Sequence, residues 1–102
     1  MSESKISCDT RRCLSPFPQD RELDFGDFTW GEEEENGTRY LYIVLPVPGR
    51  ARPDAICCRR GAPGGERVWG WDGNEDKPTL TPSIHWVGNW HGHLRAGRLE
   101  SC

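Results

Sequence analysis

Pro82-Ser83-Ile84-His85-Trp86-Val87-Gly88-Asn89-Trp90-His91-Gly92-His93-Leu94-Arg95-Ala96-Gly97-Arg98-Leu99-Glu100-Ser101 reads as three short strands joined by two tight turns. Gly88-Asn89 and Ala96-Gly97 are two-residue hairpin signals, and aromatic, branched and polar residues alternate between them. With Ala96-Gly97 as a loop, Arg95 pairs with Arg98, His93 with Glu100 and His91 with Cys102. Strand side chains alternate between faces, so His91, His93, Glu100 and Cys102 project from one side, and Leu94 and Leu99 from the other, toward a core. With Gly88-Asn89 as the preceding loop, His85 pairs with Gly92. That register puts His85 on the core face with Val87 and Trp90, apart from the other two histidines.

Upstream, Arg39-Tyr40-Leu41-Tyr42-Ile43-Val44-Leu45-Pro46-Val47 is the strongest strand signal, β-branched and aromatic throughout, and its near-continuous apolar character predicts a central position. Asp54 to Arg59 and Glu66 to Trp71 predict further strands, each bounded by Pro or Gly. Leu23 to Trp30, with aromatics at alternate positions, predicts a short strand or an arm pinned to the body. Twelve glycines and eight prolines in 102 residues disfavour helix. The expected fold is all-β: a small, single-domain antiparallel β-meander or roll with irregular Pro/Gly-rich loops. Residues 1–22 are polar, aperiodic and Pro-containing, which predicts a flexible N-terminal extension ahead of a compact β domain over 23–102.

No apolar run reaches the length of a membrane span, and the first residues lack the basic start and apolar stretch of a signal peptide; a cytoplasmic location is expected. An odd cysteine count, five, argues for reduced thiols or metal ligands over a closed disulfide framework. Adjacent Cys57 and Cys58 point to opposite faces of a strand, so at most one can join any cluster. The charge is uneven: residues 1–36 carry a balance of −6 and residues 37–102 a balance of +3. An acidic chain with scattered basic residues disfavours direct nucleic-acid binding.

Three groups of residues could carry function. His91, His93, Glu100 and Cys102 on one hairpin face offer two imidazoles, a carboxylate and a thiolate, a tetrahedral zinc set. Asp24, Phe25, Phe28, Trp30 and Glu32, Glu33, Glu34 and Glu35 interleave acid and aromatic groups, as a segment docking on a basic protein surface would. Trp71, Asp72, Gly73, Asn74, Pro78, Thr79, Pro82 and Ser83 form a dense turn-and-edge motif. Each Pro there removes a backbone donor, and the Asp, Asn, Thr and Ser side chains are suited to satisfy stranded backbone groups, a scaffold role. No Ser-His-Asp or Cys-His arrangement with supporting spacing is legible.

The run Trp-Gly-Trp-Asp-Gly-Asn-x-x-Lys-Pro-Thr-Leu-Thr-Pro-Ser-Ile at 69–84, followed by Trp90-His91-Gly92, resembles a family of small bacteriophage and prophage proteins of unknown function, sometimes described as ammonia monooxygenases. The resemblance spans roughly residues 41–102 and implies a phage origin, with no activity attached. Many members carry a Cys-rich, zinc-like segment upstream of the tryptophans; here only Cys57-Cys58 occupies that region, without Cys-x-x-Cys spacing. The leading expectation is a phage accessory protein that binds a host protein, of a host-takeover or anti-defence type, with a structural zinc as a possible addition. The alternatives are a small metal-dependent hydrolase using His91 and His93, with Glu100 as ligand or base, and a minor virion structural protein.

Overall fold

Gly88-Asn89 and Ala96-Gly97 both fall in turns between strands in the computed structural model, which describes residues 3–14, 17, 22–50, 52–61, 64 and 67–102. The strands are β1 (Cys8–Asp9), β2 (Arg11–Arg12), β3 (Asp27–Trp30), β4 (Thr38–Ile43), β5 (Asp54–Arg60), β6 (Trp69–Trp71), β7 (Leu80–Thr81), β8 (Ile84–Trp86), β9 (Trp90–Arg95) and β10 (Arg98–Ser101). No helix forms among the described residues, and none is therefore long and apolar enough to cross a membrane. The all-β expectation holds.

The strands divide into two sheets, ordered β1-β10-β9-β8 and β2-β3-β4-β5-β6-β7. β4 is central, as its apolar run suggests, although its outer face carries Tyr40 and Tyr42 while Leu41 and Ile43 are fully buried. The architecture departs from a simple antiparallel meander, because β2 runs parallel to β3 and β5 parallel to β6. The sheets share one apolar core: Phe28, Trp30, Leu41, Ile43, Ile56, Cys58, Trp71 and Leu80 from the larger, Ile84, Trp90, Leu94 and Leu99 from the smaller. Trp30 and Trp71 lie ring to ring at 4.5 Å within it, so two of the five tryptophans supply much of the apolar area that a chain this short otherwise lacks.

The N-terminal residues depart from expectation. The described part of 1–22 is woven into both sheets: Cys8 pairs with Leu99, Arg11 with Asp27, and Ser4 bridges Trp90. Arg11 forms a two-pronged ion pair with Asp27, Nε to Oδ1 and Nη2 to Oδ2 at 3.0 Å each, closing over a carboxylate that is otherwise buried. A polar, aperiodic segment hides such a role, because an edge strand two residues long is held by backbone groups that any sequence carries. Residue 23 is thus no domain boundary; residues 1, 2, 15, 16 and 18–21 of the expected extension lie outside the described residues.

The acidic-aromatic arm is corrected in the same way. Phe28 is 0% and Trp30 4% exposed, so both belong to the core and neither is available to a partner. Asp24 and Glu32 to Glu35 stay at the surface, with Glu33 paired to Arg60 at 2.9 Å. The alternating aromatics of this stretch record a strand's buried side.

Candidate active site

The chain leaves the larger sheet at Thr81 and enters the smaller at Ile84, so Pro82 and Ser83 form the crossing between them. The preceding motif builds this crossing. Asp72 Oδ1 accepts from Asn74 and Thr79 N–H, Asn74 Oδ1 from Asp76 and Lys77 N–H, and Thr79 Oγ1 from Ala96 N–H. These are the side-chain-to-backbone bonds expected of a scaffold. The Thr81–Pro82 bond is cis, and Gly64 lies against it so closely that a Cβ there would sit 2.2 Å from the Thr81 carbonyl oxygen. Trp69 Nε1 donates to the Ser83 carbonyl at 3.3 Å, fixing the backbone on which the serine is carried.

β9 presents the second component. Trp90, Gly92 and Leu94 are buried, and His91 and His93 between them are half-exposed. Gly92 makes this possible: the Trp90 indole folds across it, and a Cβ would meet that ring at 2.4 Å and the Glu100 carbonyl oxygen at 2.2 Å. The Trp-His-Gly-His pattern therefore has a steric cause, and its result is two imidazoles on the face away from the core.

The β8–β9 turn determines what these imidazoles meet. Asn89 N–H donates to the Trp86 carbonyl at 2.9 Å, and Gly88 takes φ +81 at the third position of this β-turn, the conformation a type II turn requires there. The loop thus contains three residues, Val87, Gly88 and Asn89, and the register is Ile84 with Gly92, His85 with His91 and Trp86 with Trp90. This is one residue away from the register expected of a Gly88-Asn89 loop. A single-residue slip exchanges the faces of a strand. His85 accordingly comes out beside His91, their rings stacked at 4.2 Å with 28° between planes, and Val87 is 76% exposed instead of in the core.

Ser83 Oγ lies 3.1 Å from His91 Nε2. Among the described residues this is the one hydrogen bond of the His91 ring. Behind His91, His85 Nε2 contacts Glu3 Oε2 at 3.0 Å, and the same carboxylate oxygen accepts from Gly88 N–H at 3.2 Å. Burial pushes the Glu3 carboxyl up, but the bonds from His85 and Gly88, together with the nearby His85 and His91 charges, hold it below its ordinary value. The order Glu3, His85, His91, Ser83 is a chain of contacts running from the N-terminal segment to a serine hydroxyl.

The expected zinc set is placed differently. The hairpin register of β9 and β10 is as predicted, with Glu100 opposite His93 and Cys102 N–H bonded to the His91 carbonyl. Among the described residues, however, the metal-capable donors within 4.8 Å of one another are those of Glu3, His85 and His91. His93, Glu100 and Cys102 stand outside that group. All five cysteines are free; Cys58 is buried in the core, where desolvation and the neighbouring Cys57 push its thiol to about 12.

Against β8, Leu45, Ile56, Trp69, Ile84, His85 and Trp86 line an open hollow of about 220 Å³, and neither Ser83 nor His91 is among its walls. Arg50 forms part of its frame, stacked over the Trp86 ring at 3.9 Å and paired with Asp54 at 2.8 Å.

A serine hydroxyl within hydrogen-bond reach of an imidazole is the elementary unit of acyl-transfer chemistry. Residues 49–102, just over half of the chain and all of its Ser83–His91 region, match the family described as the bacterial ubiquitination-like system serine protease, BubE. The chain belongs to the BubE family. No curated protein and no solved structure matches it. The BubE match begins in the connection between β4 and β5, so Glu3 and β1 to β4 lie outside the matched residues. Sequence reasoning missed the Ser83–His91 pair because Ser83 lies in the crossing ahead of β8 and His91 on β9, in a contact that depends on one turn. The signal that could have found it was the Ser83-Ile84-His85 and His91-Gly92-His93 alternation read with a three-residue loop.

Proposed function

We propose that this protein is a serine peptidase in which Ser83 is the nucleophile and His91 the general base. The observation that carries this reading is the 3.1 Å contact of Ser83 Oγ with His91 Nε2, and membership of the BubE family supports it. With the His91 proton on Nδ1, the Ser83 hydroxyl donates to Nε2. Attack of Oγ on a substrate carbonyl carbon passes the hydroxyl proton to His91. Collapse of the tetrahedral adduct breaks the C–N bond, and the departing amine takes that proton. Water then repeats the sequence on the Ser83 ester and restores both groups. His85, stacked on His91 and held by Glu3, positions the imidazole in place of a third hydrogen-bonding residue. The hollow against β8, walled by Ile84 and Trp86, suits an apolar side chain of the substrate. The family's description, a serine protease of a bacterial ubiquitination-like system, supports a protein substrate cleaved at an amide bond.

A fluorophosphonate probe tests this directly. It is expected to add one mass equivalent at Ser83, with labelling absent in Ser83→Ala and reduced about 10⁴-fold in His91→Ala. Labelling that persists in Ser83→Ala sinks the assignment. A phage-encoded role in binding a host protein through the exposed Glu32–Glu35 turn is the lesser reading, since Phe28 and Trp30, the largest anchors expected for it, are consumed by the core.

A further inference from the structure

We propose that Glu3, His85 and His91 form a zinc-binding site whose occupation disarms Ser83. The donor atoms of the three residues lie within 4.8 Å of one another, and His85 Nε2 and Glu3 Oε2 are already 3.0 Å apart. Zinc bonds of about 2.0–2.2 Å to imidazole nitrogen and carboxylate oxygen place tetrahedral donors roughly 3.3 Å apart, so donors within 4.8 Å of one another need to close by about 1.5 Å at most. Two imidazoles and one carboxylate are a donor set that borderline metals favour over calcium or magnesium. The frame is stiff: His85 and His91 are cross-strand partners, and Glu3 is tied by Gly88 N–H on one side, with Ser4 bonded to the Asn89 and Pro46 carbonyls on the other.

Binding and catalysis compete for one ring. A neutral imidazole has one nitrogen that accepts and one that carries the proton. If zinc takes His91 Nε2, that nitrogen is lost to Ser83. If zinc takes Nδ1, the proton moves to Nε2, which then cannot accept from the serine. Either mode removes the general base, so the metal acts as an inhibitor, and the site that would be catalytic in a metal hydrolase is here an off-switch. The inhibitory consequence rests on the peptidase reading; zinc binding itself does not.

The experiment uses the full chain freed of metal by chelation, titrated with zinc chloride by calorimetry, with fluorophosphonate labelling of Ser83 followed in parallel. Wild type is expected to bind one equivalent. Glu3→Gln and His85→Gln are expected to weaken binding at least tenfold while melting cooperatively, and His93→Ala to leave affinity unchanged. Zinc should suppress labelling of wild type with a midpoint at its binding constant, and that midpoint should rise at least tenfold in Glu3→Gln. No binding, or binding indifferent to Glu3→Gln and His85→Gln, overturns the site. Labelling that survives saturating zinc overturns the disarming of Ser83. Absence of labelling in metal-free wild type would instead sink the peptidase reading, and the calorimetry would still decide the zinc site.

Discussion

β9 is paired on both sides, to β10 through Ala96-Gly97 and to β8 through the Trp86–Asn89 turn, and the two hairpins differ in what holds their register. At Ala96-Gly97 both loop residues take positive φ, +46 and +75, the conformation of a two-residue turn that matches strand twist. The Gly97 N–H and Ala96 N–H are further held by Pro78 and Thr79. At the other end only Gly88 is left-handed, and the loop takes in Val87. The first hairpin is structural, carrying Leu94 and Leu99 into the core. The second holds His85, His91 and, just before it, Ser83. The candidate site sits where the turn is ambiguous, because one residue more or less decides which side chains meet.

Swapping the turn pair, Gly88→Asn with Asn89→Gly, is the sharpest way to break this contrast. An Asn-Gly pair favours a two-residue loop, which pairs Val87 with Trp90, exchanges the faces of β8 and separates His85 from His91. Fluorophosphonate labelling of Ser83 should fall by about 10²-fold or more, as expected for misplacement of reacting groups. Unchanged labelling would mean that the register does not position the pair.

Gly92→Ala strikes both hairpins at once, since the new methyl would overlap the Glu100 carbonyl and the Trp90 indole. A loss of about 3 kcal/mol is expected in urea unfolding. A loss under 1 kcal/mol would show that the indole can move aside.

The turns themselves should respond oppositely to substitution. Gly88→Ala has open space around the new methyl but a left-handed backbone, and should cost about 1 kcal/mol. Ala96→Asn replaces a residue already strained at φ +46 by one that tolerates that region, and should stabilise by about 0.5 kcal/mol. Thermal melts of both variants test the pair; equal signs would refute the comparison.

The smallest effect concerns acid. The folded protein holds the Glu3 carboxyl below its ordinary value, despite some burial, through His85, Gly88 and the neighbouring imidazoles. A depressed carboxyl contributes stability that is present above the unfolded-state value and is lost as pH falls through the folded one. The Tm gap between wild type and Glu3→Gln should therefore be steady above the ordinary carboxylate range and close below it. A gap that widens in acid would mean the carboxylate is not held as described.

Much of the fold was legible in local pattern. The apolar run from Tyr40 to Ile43 announced a central strand, the Asp72, Asn74 and Thr79 side chains announced turn scaffolding, and Ala96-Gly97 announced its own register. Phe28 and Trp30 misled, since alternation marks a buried face and an exposed aromatic stripe equally well. The role of Glu3 could not be read at all: it lies 82 residues from His85, and nothing in a polar N-terminal tail indicates which edge will receive it.

By itself, then, the sequence determined the all-β class, the positions of most turns and the residues that satisfy them, because strand alternation, proline and glycine geometry and short-range hydrogen bonds act within a few residues. Only the tertiary structure decided the candidate site. The Ser83–His91 contact needs a register chosen between two loop lengths that local propensity does not separate, and the Glu3–His85 contact needs the chain ends brought together by packing of both sheets around one core.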